Sequence, residues 1–327
     1  MIEFLADRNE GGQRLDRLLR KRYPDLPLSR IFGLLRQKRV KLNGKHAQGN
    51  ARVEEGDRLQ IFVPADLAEL FGEGKASPAA ASPKAEAPKR EVPQGGYRIV
   101  AREEGEWMLL DKESGVPSQP GSGIPEGESL VERLWAAYGS DWGGFRPALA
   151  HRLDRETSGL VMAALSAPTL RHFAELIRER KTDKRYYALV AGRMERESGT
   201  IRLALERVSS ARGGAKNVAG SANGVEAVTR WKLEKQFAEC ALLSVELGTG
   251  RMHQIRAHLA AVGHPLLGDD RYGDFALNRR FRKEFGLRRL FLHARHLAFP
   301  GYGSWDSPLP PELKAVLGAL EEPGRNR

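Results

Sequence analysis

His-Arg-Leu-Asp-Arg-Glu-Thr-Ser-Gly-Leu, residues 151–160, sets one carboxylate, Asp154, between Arg152 and Arg155 and then turns through Thr157, Ser158 and Gly159. The apolar run Leu160 to Leu165 follows at once. Turn-forming residues ahead of a short continuous apolar run predict a charged loop that feeds a buried strand. The guanidinium groups on either side favour the ionised form of the carboxylate. Downstream, Ser166 and Pro168 open a helix through Leu170, Phe173 and Ile177 that ends in Arg178, Arg180 and Lys181. Lys184 to Gly192, Val225 to Lys235 and Glu239 to Gly248 then read as strands, as does Trp107 to Leu110 upstream. Ser129 caps a helix carrying Leu130, Leu134 and Trp135. Strands follow one another without strict helix alternation, so the fold class is α+β with a largely antiparallel central sheet. Ala211 to Gly224 reads as a mobile glycine-rich loop, since it lacks the Gly-Lys-Ser/Thr ending of a phosphate-binding loop.

A second informative stretch is Leu-Gly-Thr-Gly-Arg-Met-His-Gln-Ile-Arg-Ala-His-Leu, residues 247–259. It predicts a strand, a tight glycine turn, and a helix that buries Ile255, Leu259 and Val262 on one face. Arg256 lies beside that face, and a partly buried arginine needs a carboxylate partner, for which Asp154 is a candidate. A metal site built from His253, His258 and Asp154 is disfavoured. The histidines are not an i, i+4 pair and no glutamate stands where a zinc helix would carry it. Ser158 with His151 lacks the surroundings of a hydrolase nucleophile.

The 327 residues have room for a large domain and a small one, and 41% hydrophobic with 29% charged residues is the balance of a soluble globular chain. A formal net charge of +11 favours a polyanionic partner, and the basic residues do not line one amphipathic helix, so nucleic acid is preferred over a membrane surface. The sequence has neither a signal-peptide layout nor an apolar membrane span, and its sole cysteine is Cys240. A reducing cytoplasmic setting is therefore expected. Residues 1–60 hold 14 Lys+Arg against 8 Asp+Glu, more than half the excess charge. There, Leu15, Leu18 and Leu19 fall at helical spacing, and Ser29 can cap a second helix bearing Ile31, Phe32, Leu34 and Leu35. Val40 and Leu42 lead into the hairpin signal Asn43-Gly44, and Leu59, Ile61 and Val63 alternate. The organisation read is a basic domain over 1–64, an Ala/Pro/Ser linker over 65–95 too poor in apolar residues to fold, and a large domain over 96–327. The linker would tether the first domain without a rigid interface.

The run at 151–160 closely resembles the signature of the RluA-type pseudouridine synthases. Residues 247–259 with Gly-His-Pro-Leu-Leu-Gly-Asp-Asp-Arg-Tyr-Gly at 263–273, Lys184-Arg185-Tyr186, and Asp-Lys-Glu-Ser-Gly-Val-Pro at 111–117 are similar to that family's other motifs, with Glu113 where proline is usual. The resemblance implies the pseudouridine synthase fold and isomerisation of uridine in RNA to pseudouridine. It makes Asp154 the nucleophile, acting either at the anomeric carbon or by removing a ribose proton to give a glycal. It makes Arg256 the partner of Asp154, and Tyr186 the residue stacked on the uracil. His151, Arg152, Arg155, Thr157, Arg251, His253 and Gln254 would contact RNA, with Arg152 filling the space a flipped-out uridine leaves. The chemistry involves no redox change and no group donor, so no cofactor and no metal are expected. Residues 1–64 resemble the S-four-type RNA-binding module, which would present Arg14, Arg17, Arg30, Arg36, Lys38 and Arg39 to phosphates. Within the family the similarity is greatest to the type acting on large-subunit ribosomal RNA. Residues 278–295, with seven Lys+Arg and one Glu, would add a second RNA surface. A transfer RNA substrate and a non-catalytic ribosome assembly factor are the alternatives. A monomer without an obligate protein partner is expected.

Overall fold

A computed structural model describes residues 1–64, 67–71, 95–139, 145–209 and 215–322. The first unit contains β1 (Ile2–Leu5), β2 (Gln13–Arg14), α1 (Leu15–Arg22), α2 (Leu28–Arg36), β3 (Val40–Leu42), β4 (Lys45–His46), β5 (Arg52–Val53), β6 (Arg58–Ile61) and α3 (Ala68–Phe71). Its main sheet runs β1-β6-β3-β4. Leu15, Leu18 and Leu19 of α1 and Ile31, Leu34 and Leu35 of α2 share one core with Leu59 and Ile61 of β6. Asn43 and Gly44 both adopt positive φ, 50° and 77°, as the tight β3–β4 hairpin requires. Two expectations change. Ser29 does not cap α2, because Pro27 already holds the N-cap position and the helix begins at Leu28. The packed unit runs past residue 64, since Leu67 and Phe71 are buried and the Phe71 ring lies 4.6 Å from that of Tyr23. Of the expected linker, residues 65–66 and 72–94 lie outside the described residues.

The larger unit contains β7 (Tyr97–Glu103), β8 (Trp107–Lys112), α4 (Leu130–Tyr138), β9 (Ala148–Leu149), β10 (Ser158–Ala164), α5 (Ala167–Arg178), β11 (Asp183–Ala191), β12 (Ser198–Arg202), β13 (Leu205–Ser209), β14 (Ala215–Ala219), β15 (Val228–Gln236), β16 (Cys240–Leu247), α6 (Gln254–Ala261), α7 (Phe275–Phe285), β17 (Leu292–Phe299), β18 (Gly303–Asp306) and α8 (Pro311–Glu321). The central sheet is ordered β12-β15-β16-β11-β17-β10-β8-β7, with β18 on β17 and β9 on β10. Its pairings are antiparallel except for β10 with β17. Every residue of β10 is buried, as its unbroken apolar run predicts for a strand covered on both faces. Ser129 and Glu132 form a reciprocal cap on α4, and Ser166 caps α5. The first unit touches the second through Asn9 Oδ1, which accepts from the Ala167 backbone N–H at 2.9 Å, and through the Arg8–Glu106 ion pair at 2.5 Å.

Two further readings are corrected. Ala215–Ala219 is not loop but strand β14, paired in register with β13, because a complete ladder of backbone partners is available there. Val262 is exposed: α6 ends at Ala261, and the residue that closes the helix turns away from the face that buries Ile255 and Leu259.

Gly159 fixes the approach of β10 to β17. Its φ is +113°, and a Cβ built there would lie 2.3 Å from the Ala294 carbonyl oxygen. Gly159→Ala combines a forbidden backbone conformation with a backbone clash. A loss of about 2–4 kcal/mol is expected, read as a fall in the urea midpoint at unchanged slope.

Candidate active site

Three segments converge on one cavity of about 280 Å³: the loop before β10, the first half of β11, and the turn from β16 into α6. The loop is held from beneath. Ser118 Oγ donates to the Leu153 carbonyl at 2.6 Å and accepts from the Leu153 N–H at 3.0 Å. The Thr157 N–H donates to the Asp154 carbonyl, closing the turn. Lys112, 1% exposed, donates from Nζ to the carbonyls of Glu113, Val116 and Arg155 at 2.7, 2.8 and 3.1 Å. Burial lowers the Lys112 ammonium to about 7, against the opposing pull of Glu156 and Asp154. Glu113 donates its backbone N–H to the Gly96 carbonyl at 2.9 Å, a bond that proline at this position could not make.

This scaffold leaves the Asp154 side chain 16% exposed at the cavity wall. Its Oδ2 lies 3.4 Å from Arg256 Nη1 and 3.9 Å from His253 Nε2. Asp154 is nevertheless not the principal partner of Arg256. The guanidinium donates from Nε and Nη2 to Asp269 at 2.7 and 2.8 Å, and Asp269 has no solvent exposure. Asp269 Oδ1 also accepts from the Arg271 and Tyr272 N–H groups. Burial works against charge on both partners. The hydrogen bonds and charges of the pair outweigh it, so the Asp269 carboxyl lies below its usual range and the Arg256 guanidinium is raised further. The fork of Arg256 is thus fixed by one carboxylate and offers its remaining Nη1 to another.

Tyr186, 5% exposed, enters the cavity from β11. Burial and then the Asp154 charge push its hydroxyl well up, so it stays protonated. His253 stands at the N-terminus of α6 in the left-handed region, φ 52°, an uncommon conformation for a residue with a side chain. Its Nδ1 lies 3.2 Å from the Tyr272 hydroxyl, which accepts in turn from the Asn217 N–H of β14. Burial lowers its imidazole below the ordinary histidine value, against the Asp154 charge.

Arg152, Arg155 and Arg251 are exposed, and the first and last of them line the cavity. Thr157 and Gln254 line the cavity but have almost no exposed surface. Both are buried, and the Gln254 amide donates to Val228 O and Thr229 Oγ1 while accepting from Thr249 Oγ1 and the Arg251 N–H. Gln254 therefore locks the glycine turn. His151 is half-buried, accepting at Nε2 from the Met162 N–H at 3.2 Å. It shapes the wall of the cavity. Asp269, Lys112 and Lys184 were not among the residues singled out from sequence, although all three stand in the quoted motifs. For Asp269 the signal was available: a buried arginine demands a buried carboxylate, and two adjacent aspartates follow α6. In the first unit Arg14, Arg17, Arg30, Arg36 and Lys38 are exposed and Arg39 is half-buried. The basic run 278–295 is less open than its composition suggests, since Arg289 is largely buried against Glu312 and Arg295 lies over the Tyr187 ring. Among the described residues no group of three or more His, Cys, Asp or Glu could hold a metal ion.

Comparison with known proteins places the chain in a family. The model of the family described as RNA pseudouridylate synthase matches residues 106–261, which include Asp154, Tyr186 and Arg256. Ribosomal large subunit pseudouridine synthase C of Escherichia coli (strain K12) is 34% identical over 98% of this chain and 96% of its own length. The protein of the same name in Vibrio cholerae is 33% identical over 91% of this chain and 89% of its own. The chain belongs to the RluA family of RNA pseudouridine synthases. Among solved structures, Human RNA Pseudouridylate Synthase Domain Containing 1 superposes on the synthase with a TM-score of 0.54 at 25% identity, covering 67% of this chain and 87% of that one. Human RNA Pseudouridylate Synthase Domain Containing 4 shares the fold with a TM-score of 0.55 at 24% identity, covering 68% and 92%. Asp269, the anchor of the synthase's Arg256, lies beyond the matched segment.

Proposed function

We propose that this synthase converts specific uridines of large-subunit ribosomal RNA to pseudouridine, with Asp154 as the nucleophile. The observation that carries the chemical part is the placement of a single carboxylate, Asp154, in the cavity against Arg256 Nη1 at 3.4 Å, with Arg256 itself immobilised by Asp269. A uridine in folded RNA reaches such a cavity only by leaving the stack. Exposed Arg152 then fills the vacated space, and Tyr186 stacks on the base. Asp154 acts on the ribose to free the uracil. The base turns, and its C5 joins the anomeric carbon in place of N1. The proton lost from C5 is balanced by one gained at N1. Arg256 supplies a fixed charge that needs no reorganisation as the reaction proceeds. The ribosomal substrate is supported by near full-length similarity to the synthases of that name. No helix among the described residues is long and apolar enough to cross a membrane, and the cytoplasm, where ribosomal RNA is processed, is the proposed location. Pseudouridine mapping in ribosomal and transfer RNA, from cells with and without the gene, tests the reading. Loss of signal in transfer RNA alone would replace the substrate, and no loss anywhere would overturn the activity.

The first unit acts in this proposal as an RNA grip of the S-four type. Because Leu67 and Phe71 belong to its core, the informative deletion removes residues 1–71. The truncated enzyme is expected to bind long structured RNA more weakly, with a shallower salt dependence. For duplex-like sites the slope falls by about 0.9 for every phosphate no longer neutralised by the protein. A short stem-loop containing the target should still be modified at high enzyme concentration. An unchanged slope would mean that the basic residues of the first unit form an ordinary solvated face.

A further inference from the structure

We propose that Lys184 binds a phosphodiester oxygen next to the flipped-out uridine, an inference that rests on the reading of the cavity as a uridine site. Lys184 precedes Tyr186 by two residues on β11, so both side chains leave the same face of the strand. Both line the cavity, with Ile177 of α5 beside them. What distinguishes Lys184 is its lack of a partner. Lys112 has three carbonyl acceptors and Arg256 has carboxylates, but among the described residues the Lys184 ammonium has neither hydrogen bond nor ion pair. Asp154, in the same cavity, is engaged with Arg256 and His253 instead. Lys184 is half-buried, and burial is what lowers its ammonium below the usual lysine value. A cation held in that way is unfavourable in the free protein unless an anion arrives to meet it.

The chemistry of the substrate names the anion. Uracil and ribose are neutral, so the negative charges a flipped-out nucleotide brings are those of its phosphodiesters. Arg152 and Arg251 stand exposed at the same cavity, ready for backbone further along. Lys184 sits deeper, beside Tyr186, where the phosphate closest to the base being turned would lie. As a compact point charge on a flexible stem it can follow that phosphate through the rotation.

The test uses the full chain and an RNA stem-loop carrying a uridine that the cellular mapping has identified. Wild-type enzyme must first form pseudouridine in it, and failure at that stage rejects the uridine reading itself. Lys184→Met keeps the apolar stem and removes the charge. It is expected to raise Kd and KM by about tenfold, to affect kcat much less, and to lower the salt slope by about 0.7, the value for one phosphate of a single-stranded backbone. Its melting temperature should hold or rise, because a half-buried charge without a partner has gone. Lys184→Arg should recover part of the affinity. Replacing the phosphates flanking the target uridine with neutral methylphosphonate should weaken wild-type binding by the same factor and leave Lys184→Met no weaker than before. Three results overturn the proposal. An unchanged KM and slope would mean that the lysine does not meet the backbone. A collapse of kcat at constant KM would place the lysine on the reacting base. A lowered melting temperature without recovery in Lys184→Arg would make it a structural residue.

Discussion

Asp154→Asn is expected to lower pseudouridine formation by at least about three orders of magnitude, or some 4 kcal/mol of transition-state stabilisation, while RNA affinity stays within about twofold and stability barely moves. The substitution keeps the volume of the side chain and removes its charge. In many sites, neutralising a carboxylate beside an arginine would leave a buried guanidinium without a counter-charge. Here it does not, because Arg256 keeps two hydrogen bonds to Asp269. The variant therefore separates chemistry from folding. Single-turnover assays on a transcribed RNA fragment measure the first effect, and filter binding with thermal melts the other two. Substantial isomerisation by Asp154→Asn would remove Asp154 from the mechanism.

Arg256→Met should fail in both respects. It strips the counter-charge from a fully buried carboxylate, Asp269, and from Asp154 at the same time. Breaking one such buried pair typically costs about 3–5 kcal/mol, so a large fall in the denaturant midpoint is expected together with loss of turnover. The pair also gives stability a pH dependence of known sign. Asp269 has a folded pKa depressed below its unfolded value. Its contribution is present above the unfolded carboxylate value, near 4, and is lost as pH falls through the lower folded value. Wild-type stability should thus drop on acidification below about pH 4, and Arg256→Met should show a weaker drop over the same window. Retained activity with unchanged stability in Arg256→Met would place the arginine on the surface and refute the anchoring role of Asp269.

The sequence made the middle of this molecule legible and its edges less so. The continuous apolar run after Asp154 and its turn residues reads as a buried strand, and β10 is that strand, buried along its whole length. The reciprocal cap at Ser129 and Glu132 and the Asn43-Gly44 hairpin follow from local chemistry acting within four residues, which a linear reading detects. Other features depend on partners far away in the chain. β14 looked like a glycine-rich loop because what orders it is pairing with β13 and contact with Tyr272 and Met252. β17 carries histidines and an arginine amid its apolar residues, so its basic neighbours dominated the reading. In the site, Asp154, Tyr186 and Arg256 were legible from the motifs. The dependence of Arg256 on Asp269 needed geometry, since two carboxylates competed for one guanidinium and distance decides between them.

The position of β17 in the sheet also bears on when the enzyme becomes active during its own synthesis. β17 lies between β11 and β10, so it alone joins the half-sheet β12-β15-β16-β11 to the half-sheet β10-β8-β7. Asp154 enters from one half, Tyr186 and Arg256 from the other, yet the joining strand spans residues 292–299. A nascent chain that has emerged only as far as α7 already has nearly every residue of the cavity but lacks the strand that pairs with both halves. Domains fold as they emerge from the N-terminal side. The first unit can thus be complete while the catalytic unit is still in two pieces, and pairings of such wide sequence separation form late and slowly. The complete cavity, and with it activity, is therefore expected only once β17 has been made.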